Sequence, residues 1–297
     1  MNDLPVSDVV EAQPLDIQHD TDPAEDHGNA RRIPHMGHAL LFFAIAGFSL
    51  IASLLGAYGI AHIHTQKAAL EHPGYSVAAQ AAGYITAMLL SLAIFPRLWQ
   101  QSFFSGIHWN GLVAKRQFRR MLALTLAISA VAQIAMHGVE RFFSTPENAP
   151  VDQIMLNPHL IWWMVPFAVI LGPFMEELAF RGFLLPALAT AYDWLSLERT
   201  PAGLDRWHRS TKHSTPALIF AALISSVPFA LMHAPQIGNA WGIVAILYGV
   251  SLTFSFIRIR SGSLACSTLV HATYNFVIFA MLFAASDGFK HLEKISR

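Results

Sequence analysis

An all-α, polytopic transmembrane helical bundle of about seven to eight membrane segments is the fold this sequence predicts, and three observations carry that expectation. Hydrophobic residues make up 54% of the 297-residue chain and charged residues only 13%, against about 25% charged in an ordinary soluble domain. Seven apolar runs approach or exceed the roughly 20 residues a bilayer-crossing helix needs: 38–63, 76–96, 121–139, 160–190, 216–234, 241–257 and 264–285. The basic residues also sort by side: of 19 Lys and Arg, thirteen fall in loops on one face of such a bundle and five on the other. That asymmetry places the N-terminus in the cytoplasm, as expected for a bacterial cytoplasmic membrane protein.

Residues 1–34 form an acidic leader. Eight of the 19 acids lie in its first 26 residues, with Pro5, Pro14 and Pro23 and no aromatic side chain. It buries too little apolar surface to offset its ordering entropy, so disorder is expected. No basic stretch precedes an apolar core, which argues against a signal peptide. Residues 35–150 hold the first three spans. The fourth run is too long for one straight crossing; Gly172-Pro173 is expected to bend it, and its last turns to leave the membrane. Two loops have more than one reading. Lys115-Arg-Gln-Phe-Arg-Arg120 suits an ordinary positively charged loop or contact with anionic lipid. The 191–215 loop, with Trp194, Trp207, Arg206, His208 and Arg209, suits an amphipathic interfacial segment or a gate.

Equal numbers of acids and bases, 19 each, leave no basic excess for nucleic acid. A single cysteine, Cys266, excludes an internal disulfide and a cysteine-clustered zinc site. Chemistry is therefore sought among ionisable groups inside the spans. Subtracting loop residues leaves Glu176, Glu177 and Arg181, all within Phe174-Met-Glu-Glu-Leu-Ala-Phe-Arg181. A charge at the bilayer centre costs about 2.5–3.5 kcal/mol on insertion scales, so such groups are functional candidates by default.

Helix geometry divides the three. Glu177 and Arg181 are four apart, on one face, and suit a neutralising pair. Glu176 is rotated by about 100° from Glu177 and has no partner in its own helix. An unpaired carboxylate in an apolar setting suits a general acid or base. Two further polar outliers follow: Phe229-Ala-Leu-Met-His233 closing the fifth span, and His271-Ala-Thr-Tyr-Asn275 in the seventh. If Glu176, His233, His271 and Asn275 converge, they can hold and activate a water, directly or through a metal. Two imidazoles, a carboxylate and an amide oxygen are acceptable zinc ligands, although no His-Glu-x-x-His motif is present. Straight spans place His233 and His271 at different depths, so convergence requires an incomplete crossing or a path broken at Pro228 and Pro235.

A Glu-Glu-x-x-x-Arg helix, then Phe-x-x-x-His, then His-x-x-x-Asn on separate apolar segments resembles the CPBP family of intramembrane proteases, which includes type II CAAX prenyl endopeptidases and Abi-type relatives. The resemblance covers about 160–285 and makes 151–290 the expected catalytic transmembrane domain. It implies an endopeptidase acting within the bilayer on membrane-associated peptides or lipid-linked protein tails, with no nucleic-acid partner. It further implies that Glu176 and His233 activate the water, while His271 and Asn275 hold it or stabilise the oxyanion. Glu177, Arg181 and Phe229 would support the site. A zinc or other divalent ion on Glu176, His233 and His271, or no metal at all, both fit the family. The alternatives are a proton- or metal-coupled transporter and a catalytically silent scaffold.

Overall fold

The computed structural model describes residues 32–65, 68, 72–142 and 149–292. The leader therefore lies outside the described residues except for its last three positions. Among the described residues the chain is helix and loop with no strand, and seven helices are long and apolar enough to cross a membrane. The protein is thus an all-α bundle of the integral-membrane kind. Helices α1 (Met36–Ile60) and α2 (Pro73–Trp99) form an antiparallel pair. Two short helices, α3 (Phe103–Gly106) and α4 (Gly111–Arg116), lead into α5 (Phe118–Phe142). After α6 (Pro150–Met155) comes the long α7 (Ile161–Leu195), then α8 (Pro201–Arg209), α9 (Thr215–His233), α10 (Trp241–Ser261) and α11 (Leu264–Ala285).

Local sequence explains several boundaries. Ser102, Asn110, Thr200 and Ser214 each accept a hydrogen bond from the backbone N–H three residues on, the expected N-cap device. Helix α10 ends at Gly262, whose φ of +64° suits a residue without Cβ. Gly83 lets α2 lie against α1: a Cβ there would stand 2.9 Å from the Leu50 Cα.

Helix α7 is continuous through three prolines because it widens twice. Phe167–Leu171 and Leu178–Leu184 are π-helical. Each is followed almost at once by a proline, Pro173 and Pro186, which lacks an N–H and would crowd the carbonyl four residues back in a regular helix. The expected bend at Gly172-Pro173 is thus met by a wider turn within an unbroken helix. One carbonyl is left short: the Gly172 N–H bonds Phe167 O, and Pro173 has none to offer Ala168 O. Asn275 of α11 supplies it, its Nδ2 donating to Ala168 O at 2.7 Å.

Two span edges differ from the sequence expectation, with consequences. Helix α7 runs to Leu195 rather than 190, and Asp193 near its end grips the start of α9. The Ser214 Oγ donates to Asp193 Oδ1 at 2.6 Å, and His213 Nδ1 meets Oδ2 at 2.9 Å. From Glu176 to Asp193 is about 26 Å of helix and from Ser214 back to His233 about 28 Å, at 1.5 Å per residue. His233 therefore returns to the level of Glu176 with Pro228 inside an intact helix. The expected depth conflict disappears with no broken crossing, because α7 runs on to the anchor at the start of α9. Helix α10 likewise runs to Ser261 rather than 257, so Arg258, read from sequence as a loop residue, lies buried inside a long apolar helix.

The core is shared between two clusters. Phe42, Phe95, Trp99, Phe103 and Phe183 join α1, α2, α3 and α7, with Phe42 and Phe183 stacked at 4.3 Å. Phe180, Phe229, Phe254 and Val270 join α7, α9, α10 and α11 around the polar groups described next.

Candidate active site

Helix α7 supplies both carboxylates, α9 and α11 one imidazole each, and α10 the floor. Glu177 and Arg181 are both fully buried and paired, Arg181 Nη1 to Glu177 Oε1 at 2.8 Å. The other guanidinium nitrogens are also matched. Nε donates to Ser255 Oγ at 3.3 Å, and Nη2 to Ser251 O and Oγ, each at 2.6 Å. The Phe229 ring lies below the cation, 4.7 Å from Arg181 Cζ. A buried ion pair offsets its desolvation only when the remaining donors are satisfied, and here each guanidinium nitrogen is.

Both histidines are oriented by their Nδ1 atoms. His233 Nδ1 lies 2.8 Å from Phe229 O. A carbonyl only accepts, so Nδ1 carries the proton. His271 Nδ1 lies 3.1 Å from Glu177 Oε1, the carboxylate already ionised by Arg181, so it too donates. In the neutral tautomers this leaves both Nε2 atoms as acceptors. His271 is further fixed by stacking on Phe254 at 4.5 Å.

Both Nε2 atoms face one carboxylate oxygen. Glu176 Oε2 is 3.8 Å from His233 Nε2 and 3.7 Å from His271 Nε2, too far for direct hydrogen bonds. Glu176 Oε2 is buried and has no hydrogen-bond partner among the described residues, while the Glu176 and His233 side chains retain 15% and 20% exposure, enough to be reached from outside. The structure thus brings together Glu176, His233, His271, Glu177, Arg181 and Phe229. Asn275 is directed otherwise: its amide nitrogen is anchored on Ala168 O.

The site's chemistry also invites a metal. Yet among the described residues no group of three or more His, Cys, Asp or Glu side chains is gathered closely enough to hold one. As placed, Glu176, His233 and His271 do not fit a three-ligand metal site.

Sequence reading missed Ser251 and Ser255, which complete the Arg181 shell. Their signal was present: two serines four apart on an apolar helix, in a chain with one evident intramembrane arginine. It also missed Phe254, whose partner could be known only from the packing.

An all-α integral membrane protein with buried carboxylates and imidazoles gathered at one point is the class that fold and site define. Residues 158–277 match a family described as type II CAAX prenyl endopeptidase Rce1-like, and all three motifs lie within that segment. The match supports the CPBP/CAAX protease family and, with it, a CAAX-type intramembrane protease acting on membrane-associated substrates. No curated protein and no solved structure matches the chain.

Proposed function

We propose that the protein is an endopeptidase that hydrolyses peptide bonds of membrane-associated peptides or lipid-linked protein tails, using a water activated by Glu176 and the two histidines. The observation that carries this reading is the unpartnered Glu176 Oε2 facing two imidazole Nε2 acceptors. Three acceptors around one point call for a donor with more than one proton, which a water is.

In the proposed reaction the water donates to Glu176 and to His233 Nε2. Its oxygen attacks the scissile carbonyl carbon as Glu176 takes a proton, giving a tetrahedral intermediate. His271 Nε2, held as an acceptor by the Glu177 carboxylate on Nδ1, lines the same water position. The intermediate collapses, the C–N bond breaks, and Glu176 passes its proton to the leaving amine. Arg181 keeps Glu177 ionised and in place. Asn275 is assigned a positioning role, since its anchored Ala168 carbonyl belongs to the wide turn that leads into Glu176.

The substrate class is supported by a cavity of about 710 Å³, almost wholly apolar, lined by Trp109, Phe118, Phe174, Thr268, Ala272 and Phe276. Phe174 precedes Glu176 by two residues, and Thr268 and Ala272 flank His271 in α11. An apolar volume of this size beside polar chemistry suits a hydrophobic peptide segment or a lipid-modified tail. We further propose that the N-terminus lies on the cytoplasmic side of the membrane, from the basic-residue asymmetry.

The test compares peptide ends in membranes of the native host containing equal amounts of wild type or Glu176→Gln. Termini found only with wild type are expected, and they name the substrate. Identical termini in both, with ion flux lost in vesicles of the variant, would move the assignment to a transporter. No difference in either assay would leave a scaffold. Elemental analysis of purified wild type against His271→Gln then reports whether these side chains also carry a divalent metal such as zinc.

A further inference from the structure

A second cavity, of about 470 Å³, lies away from the glutamates, at the end of the bundle where residues 32–33, the α2–α3 turn, the 211–218 stretch and the end of α10 meet. Its lining includes Arg32, Trp99, Ser105, His108, His213 and Arg258, and no acidic side chain. What sets it apart is its hydrogen-bond balance. The buried side-chain N–H groups without a partner among the described residues are Arg32 Nε, Arg32 Nη1, Trp99 Nε1 and Arg258 Nε. All four belong to residues that line this one cavity. Arg258 is 9% exposed and makes no hydrogen bond or ion pair among the described residues. Burying N–H donors without acceptors is costly, so four in one place describe a site built to meet acceptors.

The neighbouring charges agree. Burial, and then the charges of Arg258 and His213, hold the His108 imidazole below its usual range. Arg32 is held by Trp207, whose ring lies 3.8 Å from its Cζ, and by a hydrogen bond to Ser210 O. The acids whose charges bear on the two arginines, Asp193 on Arg32 and Glu177 on Arg258, are already engaged, the first by His213 and Ser214 and the second by Arg181. A single carboxylate would satisfy one guanidinium; two guanidinium groups with two imidazoles suit an anion with several oxygens and more than one charge.

We propose that this cavity binds a phosphate group, through Arg258 and Arg32 with the Trp99 indole N–H, as part of either a soluble phosphate compound or a phospholipid head group. The site is separate from the hydrolytic one and does not depend on its assignment.

The full-length protein in phosphatidylcholine nanodiscs is titrated with inorganic pyrophosphate, and is also prepared in nanodiscs containing phosphatidic acid, with melting followed by tryptophan fluorescence. A rise in Tm of several degrees is expected in wild type. Arg258→Gln and Arg32→Gln should each weaken binding about tenfold or more, the scale of a charge-assisted hydrogen bond. Arg206→Gln, on exposed α8, should bind as wild type. A rise with pyrophosphate assigns a soluble phosphate compound; a rise with phosphatidic acid alone assigns a lipid head group. Should Arg258→Gln fail to fold, Arg32→Gln carries the comparison. No rise with either probe overturns the proposal, as do equal rises in wild type and both arginine variants. An equal rise with sodium acetate at matched ionic strength overturns the choice of phosphate.

Discussion

Two buried arginines, Arg181 and Arg258, stand on facing stretches of the same bundle and are treated in opposite ways. Arg181 is fully buried, and each of its nitrogens meets an oxygen, from Glu177, Ser251 or Ser255. Arg258 is 9% exposed and meets none among the described residues. The adjacent carboxylates divide less sharply: Glu177 Oε1 meets Arg181 and His271, while Glu177 Oε2 and Glu176 Oε2 both lack a hydrogen-bond partner among the described residues. Burial alone therefore does not tell a supporting residue from a working one. Matching does for the two arginines: the satisfied one holds the fold, and the unsatisfied one is placed for something outside the chain.

The comparison can be broken most directly at its satisfied member. Arg181→Ala strands Glu177 as an uncompensated buried charge and should cost about 3–5 kcal/mol, read as a collapse in the yield of monodisperse protein. Its counterpart, Glu176→Gln, should leave yield and Tm as in wild type while the rate of substrate cleavage falls about 10²–10⁴-fold, the range of a general base. Equal yields for the two variants would show that matching does not separate the roles.

A smaller effect tests the proline repair. Asn275→Ala leaves the Ala168 carbonyl without its donor and should cost about 1–3 kcal/mol of stability. In a Pro173→Ala background, where residue 173 regains an N–H, the same change should cost clearly less. A double-mutant cycle on Tm measures the difference, and additivity would dismiss the repair. The smallest change is expected at the unsatisfied arginine: without ligand, Arg258→Met should shift stability by no more than about 0.5 kcal/mol or raise it, since it removes a buried charge that nothing pairs. A loss as large as that of Arg181→Ala would place Arg258 among the supporting residues.

The spans were legible because the bilayer demands long apolar runs, and 264–285 coincides with α11 as found. Their polar ends were harder to read. Ending the fourth span at 190 hid the turn that carries Asp193, and with it the anchor on α9 that brings His233 level with Glu176. Ending the sixth at 257 turned Arg258 into an ordinary loop charge, although the helix continues to Gly262. The three motifs could be recognised one by one, since each is a local spacing. The phosphate-seeking cavity could not: Arg32, Trp99, His108, His213 and Arg258 come from five separate stretches, and each alone resembles a residue at a membrane edge. Nor does spacing reveal that Asn275 serves a carbonyl orphaned by a proline more than a hundred positions earlier, because that need arises only once Phe167–Leu171 widens.

The two wide turns of α7 carry a further consequence for how the chain tolerates change. A π turn holds roughly one more residue than the α turn it replaces, and one residue is about 100° of rotation. Removing a single residue from Leu178–Leu184 would let that turn close as an ordinary α turn through the same full rotation, whereas removing one from the α-helical stretch before Asp193 would twist everything beyond it around the axis. Asp193 would swing off Ser214 and His213, and α9 would lose the anchor that sets the height of His233. The spacing between Leu185 and Asp193 is thus a phase setting for the whole site, while the wide turn before it is the place where the helix can lose a residue and keep its far end in register.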